Sequence, residues 1–165
     1  MKKKYNQIKI IKIKKNKDFR GSFFESFNEK KYFKLYNIKF VQDNFSISKK
    51  NVLRGFHGDN ATWKLISCIS GKIQIAFVYK SKKANVYKKN KILTLNENDN
   101  LQILVPPLFG TAYLVLSNRA IIHYKQSSYY KQHKQFTINY KKRELDFKWK
   151  SKKIITSKRD KKDRF

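Results

Sequence analysis

Apolar and polar residues alternate one for one along most of this 165-residue chain. A period of two sends successive side chains to opposite faces of an extended backbone, so the chain must form sheets with one buried face. Residues 8–14 set the pattern, isoleucine largely alternating with lysine, with one break at Ile10-Ile11. Residues 20–25 read as a turn leading into a strand, and further strands are expected at 40–48, 52–56, 64–69, 72–79, 85–95, 101–105, 112–116 and 120–125. Ser70-Gly71, the 96–100 cluster and Pro106-Pro107 supply the breaks between them. Residues 28–36 are the exception, with Tyr32, Phe33, Leu35 and Tyr36 forming one apolar face of a short helix. Short strands spaced about 8–12 residues apart predict an all-β sandwich, jelly roll or barrel. The length suits a single domain spanning residues 1–165. Beyond residue 126 the pattern fades into a lysine-rich tail, expected to pack through Phe136, Leu145, Phe147, Trp149, Ile154 and Ile155 and to fray at 161–165.

The net charge of +29 raises the question of nucleic acid. However, 34 of the 40 cations are lysine and six are arginine, spread over the whole chain. Base readout relies on clustered arginine forks, so a specific nucleic-acid partner is not expected. A smaller anion such as a nucleotide diphosphate suits the charge. The single cysteine, Cys68, excludes a disulfide framework. No apolar run reaches the roughly 20 residues of a membrane span. Lysines interrupt the isoleucines where a signal peptide needs an unbroken apolar stretch. A cytoplasmic protein with no membrane association is the expectation.

The chain has three histidines, His57, His123 and His133, and no His-x-His pair, so no metal centre is expected. Lys64 shares a strand face with Ile66, and an inward lysine is costly unless an anion or an oxygen acceptor meets it. Tyr124 sits in an apolar strand and Asp160 in the basic tail. Spacing alone does not bring these residues together.

Three stretches carry a resemblance: Asp18-Phe19-Arg20-Gly21-Ser22-Phe23-Phe24-Glu25-Ser26-Phe27-Asn28, Phe40-Val41-Gln42-Asp43-Asn44-Phe45-Ser46 and Asn51-Val52-Leu53-Arg54-Gly55-Phe56-His57. Lys64-Leu65, Tyr124-Lys125, Tyr129-Tyr130 and Ser157-Lys158-Arg159-Asp160 follow in order. The chain resembles the dTDP-4-dehydrorhamnose 3,5-epimerase family, cupin jelly rolls acting on nucleotide-linked 4-keto sugars. The resemblance implies a cupin jelly roll with a short helix after the N-terminal strands, acting without metal or cofactor. It makes His57 the general base, Asp160 the carboxylate that orients it, Lys64 the cation facing the keto oxygen and Tyr124 the acid on the opposite face. Arg20, Phe23, Glu25, Gln42, Asn44 and Arg54 match positions that bind the nucleotide sugar. The family also implies a homodimer that exchanges N-terminal strands, with Phe23 reaching the partner's site.

The chain departs from the family pattern in places. Thr111, in Phe109-Gly110-Thr111-Ala112-Tyr113, and Phe45 each stand where the family has histidine. Val78-Tyr79-Lys80-Ser81 replaces an acidic segment, three residues are missing between His57 and Lys64, and Gly58-Asp59 replaces an aromatic–glutamine pair. The His57-Gly58-Asp59 stretch, the Leu65-Ile66-Ser67-Cys68 run and the Pro106-Pro107 turn are similar to the branch acting on GDP-linked 4-keto-heptoses for bacterial capsule sugars, in which C3 alone or both C3 and C5 are inverted. The reading is therefore a nucleotide-4-keto-sugar epimerase of bacterial surface polysaccharide synthesis. Its alternatives are a cupin 3,4-ketoisomerase of nucleotide sugars and a basic nucleic-acid-binding β-protein.

Overall fold

The alternating segments become antiparallel strands whose apolar sides close on one another. The computed structural model describes residues 7–80 and 87–164. In chain order these form β1 (Lys9–Lys12), β2 (Asn16–Asp18), β3 (Gly21–Phe23), helix α1 (Glu29–Tyr36), β4 (Gln42–Lys49), β5 (Leu53–Gly58), β6 (Lys64–Ser70) and β7 (Lys72–Lys80). They continue as β8 (Tyr87–Asn96), β9 (Leu101–Val105), β10 (Phe109–Val115), β11 (Arg119–Gln126) and β12 (Phe136–Thr137). Two five-stranded sheets result, ordered β1-β9-β6-β11-β4 and β12-β5-β10-β7-β8, while β2 and β3 form a separate hairpin. The expected strand at 85–95 starts outside the described residues and is observed from Tyr87.

The inner faces of the two sheets meet in one apolar layer. Ile66, Ile103, Val105 and Ile122 from the first sheet pack on Ile73, Ile75, Phe77, Phe109 and Val115 from the second. Each such side chain taken out of water contributes about 1.5–3 kcal/mol. The period of two decides the partners. On β7, Ile73, Ile75 and Phe77 face inward, while Ala76 and Val78 face the opposite side. There the chain after residue 126 covers the second sheet, through Phe136, Ile138, Tyr140, Leu145 and Phe147, with Trp149 and Ile154 packed alongside.

Ile155 is the exception in the tail, its side chain 58% exposed. Its backbone is what holds, because Leu53 N donates to Ile155 O at 2.8 Å and Ile155 N to Asn51 O at 2.9 Å. The fraying expected at 161–165 does not extend to Arg164, which exchanges backbone hydrogen bonds with Thr137 at 2.8 and 2.9 Å. Phe165 lies outside the described residues.

Helix α1 covers the outer face of the first sheet. Asn28 caps it by accepting from Lys31 N, and Asn37 ends it in the left-handed conformation. A cap of this kind contributes about 1 kcal/mol. Tyr32 packs with Leu65 and Leu104, with Tyr36 alongside. The expected four-residue face is narrower than that, since Phe33 and Leu35 remain more than half exposed. Residues i and i+4 share a helix face, and one such row is all that this short helix lays on the sheet.

Candidate active site

The site begins with an irregularity in β5. Thr111 of β10 pairs with His57, but Tyr113 pairs with Arg54, so three steps along β5 match two along β10. This bulge turns both Arg54 and His57 inward, where strict alternation would set them on opposite faces. Gly55 makes it possible. Its φ is +119°, and a Cβ there would lie 2.3 Å from the Thr111 carbonyl oxygen.

A cavity of about 540 Å³ opens between the sheets at this point. Gln42, Asn44 and Ser46 of β4, Lys64 of β6, and Tyr124 and Gln126 of β11 line it from the first sheet. Arg54, His57, Thr111 and Tyr113 face them from the second, and the chain beyond β11 adds Tyr130, Gln135 and Arg159. His57 and Tyr124 therefore reach one space from opposing sheets.

Nε2 of His57 lies 2.8 Å from Oδ1 of Asp160. The approach is oblique to a straight hydrogen bond, so the contact is a short ion pair once the ring is protonated. Asp160 is buried, and Gly55 N donates to its Oδ1 at 3.2 Å. Its Oδ2 accepts from Ser157 N at 3.1 Å and Ser157 Oγ at 2.7 Å. Burial alone would raise the Asp160 pKa, but the close His57 ring and the hydrogen bonds from Ser157 and Gly55 outweigh it and bring the carboxyl down to about 2. Burial, joined by the Arg159 and Lys64 charges, lowers the His57 pKa more than Asp160 raises it, so the ring loses its proton below the ordinary histidine range.

Lys64 points inward as the alternation predicts and is buried, its Nζ donating to the His57 carbonyl oxygen at 3.3 Å. Burial lowers the pKa of its ammonium; Asp59 opposes that shift and Arg159 adds to it. The Tyr124 phenol is raised, chiefly by burial, and stays protonated at neutral pH. Besides His57 Nε2, three buried polar atoms of cavity residues find no hydrogen-bond partner among the described residues: Asn44 Nδ2, Thr111 Oγ1 and Arg159 Nη2. An unpaired buried group costs about 1–3 kcal/mol, so these atoms favour a polar ligand in the cavity.

Arg159 and Asp59 stand in the sequence only as members of motifs, without an assigned role, and nothing there points to Gln135. Arg159 adjoins Asp160, but nothing in the spacing turns it toward β5. Its Nε donates to Thr137 Oγ1 and its Nη1 to Tyr130 Oη, both at 3.3 Å. Arg20, Phe23 and Glu25 do not line the cavity of the single chain. Arg20 pairs with Asp18 at 2.6 Å, Glu25 accepts from Asn28 Nδ2 at 3.0 Å, and Phe23 stands 76% exposed on its hairpin. His123 points away from the cavity, its Nε2 3.0 Å from Asp43, and His133 is exposed. Among the described residues, no three His, Cys, Asp or Glu side chains gather as a metal site would require.

Comparison with known proteins gives the family of the chain and the likeness of its fold. The sequence matches the dTDP-4-dehydrorhamnose 3,5-epimerase family over residues 2–165. It is 33% identical over 147 residues to the dTDP-4-dehydrorhamnose 3,5-epimerase of Salmonella typhimurium, covering 86% of this chain and 80% of that one. To the Shigella flexneri protein of the same name it is 30% identical over 148 residues, covering 87% and 82%. The fold superposes with a TM-score of 0.84 on the 3,5-epimerase of Legionella pneumophila in complex with dTDP-4-keto-L-rhamnose, at 32% identity over 93% of this chain and 84% of that one. For the Bacillus anthracis 3,5-epimerase with TDP and pyrophosphate bound, the TM-score is 0.87 at 28% identity, covering 97% and 94%. The two-sheet architecture is the cupin sandwich of these carbohydrate epimerases, which are isomerases. A chain matched along nearly its whole length in both sequence and backbone belongs to the dTDP-4-dehydrorhamnose 3,5-epimerase family.

Proposed function

We propose that this protein inverts carbon centres next to the C4 ketone of a nucleotide-diphosphate sugar, by proton abstraction and return. One observation carries the reading: a carboxylate-backed imidazole and a protonated phenol enter one cavity from facing sheets, with a buried ammonium between the strands that bear them. The neutral ring of His57 takes the proton from the carbon beside the ketone. The C–H electron pair delocalises onto the carbonyl oxygen as an enolate. Asp160 stabilises the resulting imidazolium and fixes the ring's orientation. Lys64 faces the oxygen on which charge grows, and a fixed donor of this kind is typically worth about 3–4 kcal/mol in the transition state. Tyr124 delivers a proton to the opposite face of the carbon, which completes the inversion. Solvent reprotonates the phenolate and takes the proton from His57.

Gln42, Asn44 and Arg54 offer polar groups to the nucleotide sugar within the cavity, and Arg20, Phe23 and Glu25 complete the site in a homodimer. The solitary chain supports that assembly in two ways. Phe19 and Phe23 of the hairpin are 96% and 76% exposed, and the edge strand β4 displays Phe45 and Ile47 at 66% and 56%. Apolar surface of this kind marks an interface. An exchanged hairpin would bring Phe23 of one copy to the cavity of the other. The protein acts in the cytoplasm, in the supply of sugars for bacterial surface polysaccharide.

The relatives' dTDP sugars make a dTDP-linked 4-keto-6-deoxy sugar the first substrate to try. The resemblance of the His57-Gly58-Asp59 stretch, the Leu65-Ile66-Ser67-Cys68 run and the Pro106-Pro107 turn to another branch makes a GDP-linked 4-keto-heptose the second. The test incubates the protein with each sugar in D₂O and locates deuterium by NMR. Label at C3, or at C3 and C5, with His57→Asn abolishing it, is the expected result. A keto group moved to C3 points to a ketoisomerase, and unlabelled sugar with both nucleotides overturns the proposal.

A further inference from the structure

We infer that Asp59 is a positioning residue for Lys64, its carboxylate locking the turn that feeds β6 and balancing the ammonium at the cavity wall. The inference rests on the role proposed above for Lys64. The ammonium is buried, yet its hydrogen bond goes to a neutral carbonyl at 3.3 Å, and none of the described ion pairs includes it. A buried charge without a counter-charge is costly. The charges that act on Lys64 are those of Asp59, five residues before it and buried in the turn that leads into β6, of Arg159 on the cavity wall and, once protonated, of His57, whose carbonyl oxygen accepts from the ammonium. Of these only Asp59 is negative.

Asp59 is itself buried, at 6% exposure, and none of the described ion pairs gives it a lysine or arginine in direct contact. Its Oδ1 accepts from Ala61 N at 2.9 Å and Thr62 N at 2.6 Å, which fixes the turn two residues before Lys64. Its Oδ2 accepts from Gln135 Nε2 at 2.8 Å, and Gln135 lines the cavity. Its carbonyl accepts from Leu108 N at 2.8 Å, tying the turn to the loop before β10. The carboxylate is thus held rigidly, with its charge left to act on Lys64. Burial would favour its neutral form, but the N–H donors and Lys64 keep it ionised.

The experiment compares Asp59→Asn with Asp59→Ala and Lys64→Ala, following solvent-deuterium exchange against pH. Asparagine keeps the acceptor for Ala61 and Thr62, removes the charge, and gives up the second oxygen that accepts from Gln135, whose amide can turn to present its own oxygen. Asp59→Asn is expected to fold and to lower kcat more than it changes KM. The alkaline limb of its kcat profile should move down by about one pH unit, as loss of a neighbouring opposite charge dictates. A wild-type profile for Asp59→Asn, with only Asp59→Ala losing stability, would reduce Asp59 to a turn cap and overturn the inference. If Lys64→Ala exchanges like wild type, the role of Lys64 fails instead. Should Asp59→Asn not fold, a ¹³Cε NMR titration of Lys64 in the unaltered protein decides. An ammonium persisting above about pH 8 supports the inference, and a neutral amine at about pH 7, as isolated burial produces, overturns it.

Discussion

Replacing Asp160 with asparagine isolates the carboxylate that backs His57. The side chain keeps its size, and the remaining oxygen still accepts from the Ser157 or Gly55 donors that hold it. What is lost is negative charge 2.8 Å from the imidazole, together with the acceptor for one of the two donor sets. The structure sets the magnitude. The Asp160 carboxyl is drawn from the ordinary 3.8 to about 2. At about 1.4 kcal/mol per unit, the ionised form is favoured by about 2 kcal/mol. His57 is the foremost of the partners that produce this preference, and its ring gains positive charge as it takes the substrate proton. Removing the charge therefore raises the barrier by about 2 kcal/mol, a slowing of about 30-fold, with any loss of ring orientation added to it. The assay is deuterium wash-in at saturating keto sugar, read by NMR, with a thermal melt to confirm the fold. KM should change less than threefold, by order of magnitude, because Asp160 lies behind the ring and not at the substrate. Exchange at the wild-type rate in a folded Asp160→Asn protein would refute the pairing of these two residues.

Gly55→Ala forces a Cβ to within 2.3 Å of a backbone oxygen at a φ of +119°. It should cost about 3 kcal/mol in urea unfolding and displace both Arg54 and His57, whereas an unchanged midpoint would mean that the bulge tolerates side chains. The pH response has two parts. Burial lowers the His57 pKa in the folded state, so the acid limb of kcat/KM should fall below the free histidine value of about 6.5, and a limb above it contradicts the desolvated site. The depressed Asp160 pKa contributes stability that is fully present above the unfolded value of 3.8 and is lost as pH falls toward about 2. Wild type should therefore lose stability relative to Asp160→Asn across that interval; parallel melting curves would show that the carboxylate is not specially held.

Alternation alone located the strands and turned Lys64 inward, because a half-buried sheet leaves its period in the sequence. The same rule hid Arg54 beside His57. A bulge shifts one strand by a residue, and the sole local sign of it is Gly55. The helix was legible from its spacing, but how wide a face it buries depends on the outer row of Leu65 and Leu104, supplied from distant strands. Asp160 could be matched to His57 only through family resemblance, since 105 residues separate it from its backbone donor Gly55. Arg159, Gln135 and Asp59 escaped for a related reason. Each is an ordinary polar residue until the chain after β11 folds back over the cavity mouth. Phe33, Leu35 and Phe23 show the opposite case, apolar residues that the single chain leaves in water.

The stereochemical course of exchange in Tyr124→Phe tests most directly whether base and acid work from opposite sheets. With His57 intact and the phenol gone, the account predicts that the carbon beside the ketone still picks up deuterium but returns to its original configuration. Inverted product forming at the wild-type rate would mean that the second proton comes from another group, and that the facing arrangement of His57 and Tyr124 does not govern the reaction.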